Sequence, residues 1–459
     1  MKITQNQKLN SLQRKIILYK ENEFFISKSG KLNKDIFFKI KKNVSLFLSN
    51  FQNKKIAIKF SDDLNSATFI PILDGLVKSL LILPTDFSKE EENELLSKAK
   101  IKNVLVDSDS LIKKNKFVKY FKLDEIQSKK EKELKYCNVT EWILCTSGTT
   151  GTPKLVKHSY ESLINKIKKA KKNYNWALTY SISRFAGLQI LFIALLSNSK
   201  LIFSSENHSI EEDISFFIEK DVNAISATPT MFKKFLMHRS FVKLKLKQIT
   251  LGGEIINQTL LNILKKNFNF SNISHIYAST EAGSSFSVTD GIAGFPKSFV
   301  LSNKKSTNIK VSSEGEIFIK SPSISLGYVK EKNLVDKSGF IKTGDMVELV
   351  DDRYYFIGRK NGSINIGGNK VYPEKVENLI YKLENVSLVR VKPKKNSITG
   401  NIVSAEIVPS KKLSESEKEK FKKKIRTFCL KNLEKYMVPF YIKIIDDLKI
   451  NKSGKLWRK

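Results

Sequence analysis

The stretch CTSGTTGTPK, residues 145–154, gathers hydroxyls, two glycines and a lysine into a run with neither helical nor strand period. Thr146, Ser147, Thr149 and Thr150 offer hydroxyl donors, and Lys154 adds a cation. Gly148 and Gly151 let backbone N–H groups approach an anion closely. These are the parts of a phosphate cradle. The spacing is not that of a P-loop, because GxxxxGK[ST] does not match. A plain Ser/Thr/Gly loop has the same composition, so the run alone leaves both readings open.

Six further motifs follow in order: LGGE (251–254), YASTE (277–281), GEIFIKSPSISLGY (315–328), FIKTGD (340–345), GRKNGSINIGGNKVYPEKVE (358–377) and NKSGKLWRK (451–459). Together with the first run they closely resemble the signatures of the AMP-forming adenylating superfamily, which holds acyl-CoA synthetases, peptide-synthetase adenylation domains and luciferases. The likeness spans roughly residues 140–459, and residues before 140 carry no signature. The resemblance implies attack of a carboxylate on ATP, release of pyrophosphate, and transfer of the acyl group from AMP to a thiol.

The resemblance also assigns roles. Thr146, Ser147, Gly148, Thr149, Thr150, Gly151 and Lys154 would cradle the polyphosphate. Gly253 and Glu254 would lie on the adenine side, and Tyr277 would pack against adenine. Thr280 would bond the α-phosphate, and Glu281 would hold Mg²⁺ as a hard carboxylate ligand. Asp345 would accept two ribose hydroxyls, with Arg359 as a second ribose contact. Lys455 would neutralise charge on the reacting carboxylate and phosphate. Gly367 and Gly368 would line the route of the thiol, and the chain would hinge at Asn361. Taken singly, each has a plainer reading: Tyr277 as a core aromatic, Asp345 as a turn residue, Arg359 and Lys455 as solvated cations.

Three positions depart from the pattern. The hinge residue is Asn361, where an acid is usual. Ile450–Asn451 lacks the proline common before the catalytic lysine. Arg184 stands three residues before Gly187, where many acyl-CoA synthetases have histidine. Arg184 and Gly187 are read as acid-pocket wall. Arg184 then either pairs with a second carboxylate or polar group of the substrate, or is held structurally within the protein.

The elements that must position these residues show in the texture of the chain. Before residue 140, short apolar runs such as KKIAIKF, SLLILP and KNVLV alternate with helical patterns, which suggests βαβ units on a mostly parallel sheet. SKLIFSS (199–205), VNAISATP (222–229) and LKQITLGGE (246–254) continue the series as strands ending in small or polar residues, where ligands collect in open α/β sheets. EWILC reads as a strand before the phosphate run, and the segment from Leu155 onward as a helix after it. Beyond about residue 310 the alternation turns antiparallel. Residues 414–436 show helical spacing, with Ser414 and Glu417 as a capping box. The expected fold is α/β: a large N-terminal domain of α/β layers with mixed sheets, residues 1–359, plus a small, mobile α+β C-terminal domain, residues 360–459.

Composition sets outer limits. The 459 residues include 41% apolar ones, enough for a sizeable core. The formal charge is +35, but the lysines are spread along the whole chain, so nucleic-acid binding is not the expected role. Three cysteines without metal-ligand spacing fit a reducing cytosol. The start, MKITQNQKLN, has no apolar signal core. The apolar run FAGLQILFIALL, residues 185–196, is shorter than the ~20 residues that span a bilayer and reads as a buried helix. The expectation is a cytoplasmic AMP-forming acid–CoA ligase of fatty acid metabolism, using ATP, Mg²⁺ and CoA on a small carboxylic acid. One alternative is a stand-alone adenylation enzyme that loads an acyl carrier protein. Another is an inactive nucleotide-binding protein, against which the intact Lys154, Glu281, Asp345 and Lys455 argue.

Overall fold

The computed structural model describes residues 10–20, 23–113, 115–136, 139–146, 153–167, 172–204, 209–301, 307–330, 334–451 and 454–457. The chain forms two compact units. The first holds Met1–Ser226, Ala278–Ser285 and Ser321–Ile341; the second holds Ala227–Tyr277, Phe286–Lys320 and Lys342–Lys459. The division expected at residue 359 falls inside the second unit.

In the first unit a seven-stranded sheet runs in the order Gly327–Tyr328, Lys154–His158, Glu141–Thr146, Ser79–Ile82, Lys55–Lys59, Asn103–Val106, Lys119–Lys122. The five strands from Glu141–Thr146 onward are parallel. Ile56, Ala57, Ile58, Leu80, Leu81 and Ile82 are all buried, which is why these strands read as unbroken apolar runs rather than alternating ones. A second set of strands, Ala224–Ala227, Asn175–Leu178, Lys200–Phe203 and Phe25–Ile26, is also parallel, and Lys31–Leu32 closes it in antiparallel sense. The helix Phe185–Ser197 is apolar on all sides and lies in the core. Its Gln189 satisfies its amide by donating to Leu163 O at 2.7 Å.

The segment after the phosphate run differs from expectation. Lys154–His158 is a strand, not the start of a helix, and it pairs antiparallel with Glu141–Thr146, Thr146 opposite Lys154 and Trp142 opposite His158. The helix begins only at Tyr160, after Ser159 and Ser162 form its cap, and spans Tyr160–Ile164. The ladder partners on both sides of KLVKH outweigh its local helical pattern. Thr146 and Lys154 therefore end two paired strands, while Ser147, Gly148, Thr149, Thr150 and Gly151 lie outside the described residues.

In the second unit Gln248–Gly252 pairs in parallel with Asn272–Ser279. A five-stranded sheet follows in the order Phe295–Pro296, Arg353–Arg359, Ile341–Val350, Glu316–Lys320, Asn308–Val311. Its central hairpin turns at Asp351–Asp352, with Asp351 at φ 51°, a conformation Asp tolerates. Towards the C-terminus come the hairpin Ile364–Ile366 with Asn369–Val371 and the three strands Val386–Asn396, Gly400–Pro409 and Tyr441–Ile444. The helices Pro373–Ile380 and Glu415–Asn432 cover them around Val376, Ile380, Val391, Ile407, Ile425 and Cys429. Ser414 and Glu417 form the capping box read from the sequence. The fold is thus α/β with mixed sheets and a small α+β portion at the C-terminal end. Among the described residues no helix is long and apolar enough to cross a membrane.

Candidate active site

In the first unit, the phosphate-side residues cluster at the ends of paired strands. Strand Gly327–Tyr328 pairs with Lys154–His158, Tyr328 opposite Val156. That register sets the Tyr328 ring 4.6 Å from Lys154 Nζ, a cation–π distance. The Tyr328 hydroxyl donates to Glu281 Oε1 at 3.2 Å. One tyrosine therefore stands between the cation of the phosphate run and the carboxylate read as the Mg²⁺ ligand. Among the described residues no group of three or more ligating side chains is assembled for a metal. A lone hard carboxylate still fits Mg²⁺, which commonly takes one or two protein carboxylates and completes its shell with substrate phosphates and water.

The Thr280 backbone is held by a residue the sequence reading did not single out. His158 is fully buried, and its Nε2–H donates to Thr280 O at 2.7 Å. That bond fixes the tautomer, so Nδ1, 3.1 Å from Ser162 Oγ, is the acceptor. Burial pushes the imidazole pKa down to about 4, against a smaller upward pull from the Thr280 carbonyl. The ring is therefore neutral near pH 7. The available sequence signal was a histidine within a short apolar strand, which needs buried partners.

In the second unit, the Thr-Gly-Asp motif builds a carboxylate site. The Thr343 hydroxyl donates to Ile317 O at 2.8 Å and accepts the Asp345 N–H at 3.1 Å. Asp345 then receives the Tyr277 hydroxyl on Oδ2 and Arg359 Nε on Oδ1, the latter at 2.9 Å. The Tyr277 ring stacks nearly parallel with those of Phe286 and Phe356, with centroids at 5.1 and 5.3 Å. Its phenol is driven well above the usual range by burial first and by the Asp345 charge second. The sequence thus found three residues that do assemble, and Tyr277 engages Asp345 directly.

Lys455 lies against Gly253 of the LGGE loop, a pairing the motifs taken one by one did not indicate. A Cβ placed on Gly253, at φ +82°, would be strained by the backbone and would stand 3.2 Å from Lys455 Cε, pressing the lysine stem by a few tenths of an ångström. Asn451, where the proline is missing, closes the lysine turn instead: its Oδ1 accepts the Lys455 N–H at 3.1 Å, and its N–H donates to Lys455 O at 2.9 Å. Gly367 and Gly368 form the exposed turn of the hairpin, with Gly368 N donating to Asn365 Oδ1 at 3.0 Å. Asn361 is exposed in the short turn Lys360–Gly362, and its neighbour Lys360 pairs with Glu314 and Glu316 at 2.8 and 3.3 Å.

Arg184 is buried just ahead of helix Phe185–Ser197, in the first unit. Its Nη2 donates to both oxygens of Asp86, at 2.7 and 2.6 Å, and the guanidinium lies 5.4 Å over the Phe87 ring. The protein itself thus supplies a partner, which the sequence had left open. Nε and Nη1 are buried without a hydrogen-bond partner among the described residues. The neighbouring Cys145 thiol, at the end of the strand leading into the phosphate run, is pushed up to about 12 by burial; Arg184 lowers it and Asp86 raises it. Gly187 is explained by packing, since a Cβ there would fall 2.2 Å from Ser181 O.

Residues 73–329 match the AMP-binding enzyme family, and residues 375–455 match the AMP-binding enzyme C-terminal domain. The 2-succinylbenzoate–CoA ligase of Listeria monocytogenes serotype 4b is 27% identical over 431 residues, covering 89% of this chain and 88% of its own. Among solved structures, o-succinylbenzoate CoA synthetase from Bacillus subtilis in complex with its acyl-adenylate superposes with a TM-score of 0.76 at 21% identity, covering 98% of this chain and 97% of its own. An anthranilate CoA ligase in complex with anthranoyl-AMP superposes with a TM-score of 0.81 at 15% identity, covering 98% and 96%.

Proposed function

The chain belongs to the AMP-binding enzyme family, and on that premise we propose that it activates an aromatic dicarboxylic acid as the acyl-adenylate and passes the acyl group to CoA. The reaction follows from the chemistry of its parts. A carboxylate is a poor electrophile. Its oxygen attacks the α-phosphorus of ATP, the bond to pyrophosphate breaks, and AMP becomes the leaving group. The CoA thiol then adds to the acyl carbon, loses its proton, and AMP departs.

Each group has a task in that sequence. Lys154 and the hydroxyls of residues 146–150 take the departing pyrophosphate. Thr280, with its backbone fixed by His158, donates to the α-phosphate. Glu281 would hold Mg²⁺, which neutralises charge on the phosphates. Asp345 takes the ribose, oriented by Tyr277 and Arg359, and Tyr277 lies on the adenine side. Lys455 supplies positive charge to the oxygens of the reacting carboxylate and the α-phosphate, where charge builds in the transition state. The segment 360–459 pivots at Asn361 between the two half-reactions. Lys455 serves the first, and the Gly367–Gly368 turn lines the thiol's approach in the second.

The relatives narrow acid and acceptor. They are named for 2-succinylbenzoate, an aromatic acid with two carboxylates, and for CoA. They support neither fatty acid metabolism nor a carrier-protein acceptor. The observation that carries a second carboxylate in this chain is Arg184. Asp86 occupies Nη2 alone, and the N–H groups of Nε and Nη1 are left for an acceptor on the acid. The test is acid-dependent pyrophosphate release from ATP and Mg²⁺ with 2-succinylbenzoate, benzoate, aliphatic monoacids and amino acids, followed by thioester formation with CoA. The reading stands if the aromatic diacid leads and free CoA accepts it. It falls if no acid releases pyrophosphate, or if monoacids are preferred.

A further inference from the structure

We propose that Thr228 and Glu254 are positioning residues that hold the Lys455 turn in place for adenylation, an inference that rests on Lys455 being the adenylation lysine. The two residues on either side of Lys455 are both tied down. Thr228 donates its hydroxyl proton to Gly454 O, and Glu254 Oε1 accepts the Leu456 N–H at 3.2 Å. The holders are themselves anchored at one helix end. Thr228 is fully buried and caps helix Pro229–Leu236, its Oγ1 accepting the Met231 N–H at 3.1 Å. Glu254 Oε2 accepts the Thr230 N–H at 3.0 Å in the first turn of that helix. A carboxylate at a helix N-terminus is well placed, and here its second oxygen reaches 202 residues along the chain to the lysine turn.

This arrangement redefines Glu254. The adenine-side loop was expected to present it to the nucleotide, but both of its oxygens are occupied by backbone N–H groups. The nucleotide-side surface of the loop is then Gly253, against which the Lys455 stem lies. Upstream, Lys234 of the same helix pairs with Asp447 at 2.9 and 3.0 Å, and Ile450 bridges Leu456. The turn bearing Lys455 is thus fixed at residues 447, 451, 454 and 456. The contacts with Thr228, Lys234 and Glu254 exist only while the lysine turn lies against residues 228–254. If the C-terminal segment swings away for thioester formation, these three break while the bonds within the turn are kept, and the three then contribute to the first half-reaction alone.

The test separates the half-reactions in Glu254→Gln, Glu254→Ala, Thr228→Val and Thr228→Ser. Glutamine keeps one acceptor and turns an amide N–H₂ towards the other N–H, so it opens one arm of the clamp without leaving a hole. Adenylation by Glu254→Ala is expected to fall about a hundredfold, the cost of a misplaced catalytic group. KM for ATP should stay within about threefold, as for an interaction made in the transition state. Thioester formation from pre-made acyl-adenylate should hold or quicken. Thr228→Ser, which keeps the hydroxyl, should rescue most of what Thr228→Val loses. A parallel loss in both half-reactions, or a rise in KM for ATP with unchanged turnover, overturns the proposal. Lys455→Ala, run beside them, separates the two levels: unchanged adenylation in that variant overturns the lysine assignment, whereas lost adenylation there with full activity in Glu254→Ala overturns the clamp alone.

Discussion

The hydroxyl of Tyr277 donates to Oδ2 of Asp345, joining the aromatic of one motif to the carboxylate of another 68 residues away. Arg359 Nε takes the other oxygen at 2.9 Å, so the carboxylate is oriented from both sides before any ribose arrives. Asp345→Ala should therefore raise KM for ATP by about 1.5–3 kcal/mol, roughly tenfold to a hundredfold, the range for hydrogen bonds to a charged group. Tyr277→Phe keeps the ring stack and removes only the orienting bond, so about 1 kcal/mol is expected. Steady-state kinetics on the two variants checks the order; equal effects contradict the orienting role.

His158 predicts a pH dependence of stability. Its folded pKa of about 4 lies below the ordinary 6.5, because burial disfavours the charged ring. Between those values the unfolded chain binds a proton that the folded chain does not. The stabilisation is complete above pH 6.5 and is lost as pH falls towards 4. About 2 kcal/mol should be lost by pH 5 from this group. His158→Gln retains a donor for the Thr280 carbonyl but cannot titrate, so its urea midpoint should change less between pH 7 and pH 5. An identical slope in both proteins would remove His158 from the account.

The candidate site residues were legible because they sit in short motifs that follow one another in order along the sequence. Asp345, Tyr277 and Arg359 assemble from three such motifs, and Lys455 meets Gly253 from two others. What supports them was not legible. His158 acts on a residue 122 positions later, and Thr228 on one 226 positions later, and no local period encodes such distances. Asp86 lies in a stretch with no motif at all, yet it decides the state of Arg184. The strand Lys154–His158 was masked for a related reason. The helical pattern from Tyr160 onward runs on smoothly from it, and only the flanking strands settle its conformation.

Gly368 stands at φ +90° in an exposed turn, with no atom within 4 Å of an added Cβ. A leucine there projects into open space and strains the backbone by about 1–2 kcal/mol, which the small hairpin tolerates. Thioester formation from acyl-adenylate should drop about tenfold or more, as for a blocked approach, while pyrophosphate release is kept. Gly368→Ala carries the same backbone strain without the bulk and should fall in between. Unchanged thioester formation in the leucine variant would take this turn out of the thiol's path.

Arg184 separates a structural role from a substrate role only if its protein partner is treated with it. Arg184→Leu alone leaves Asp86, about a quarter exposed, without its cation. Breaking one side of a buried pair costs on the order of 3 kcal/mol, so a lowered melting temperature is expected whatever the acid. The double variant Asp86→Asn with Arg184→Leu removes both charges and should recover most of that stability. It should still turn over 2-succinylbenzoate at least about tenfold more slowly, the loss of one charge-assisted bond to a second carboxylate. Benzoate, which has no second carboxylate, should be used as well as by the wild type or better, because the pocket no longer holds an unsatisfied guanidinium. Specificity profiles taken beside melting curves decide the matter. If the double variant regains stability and its preference for the diacid is unaltered, Arg184 serves the fold, with Asp86 its complete partner, and the second carboxylate is read elsewhere.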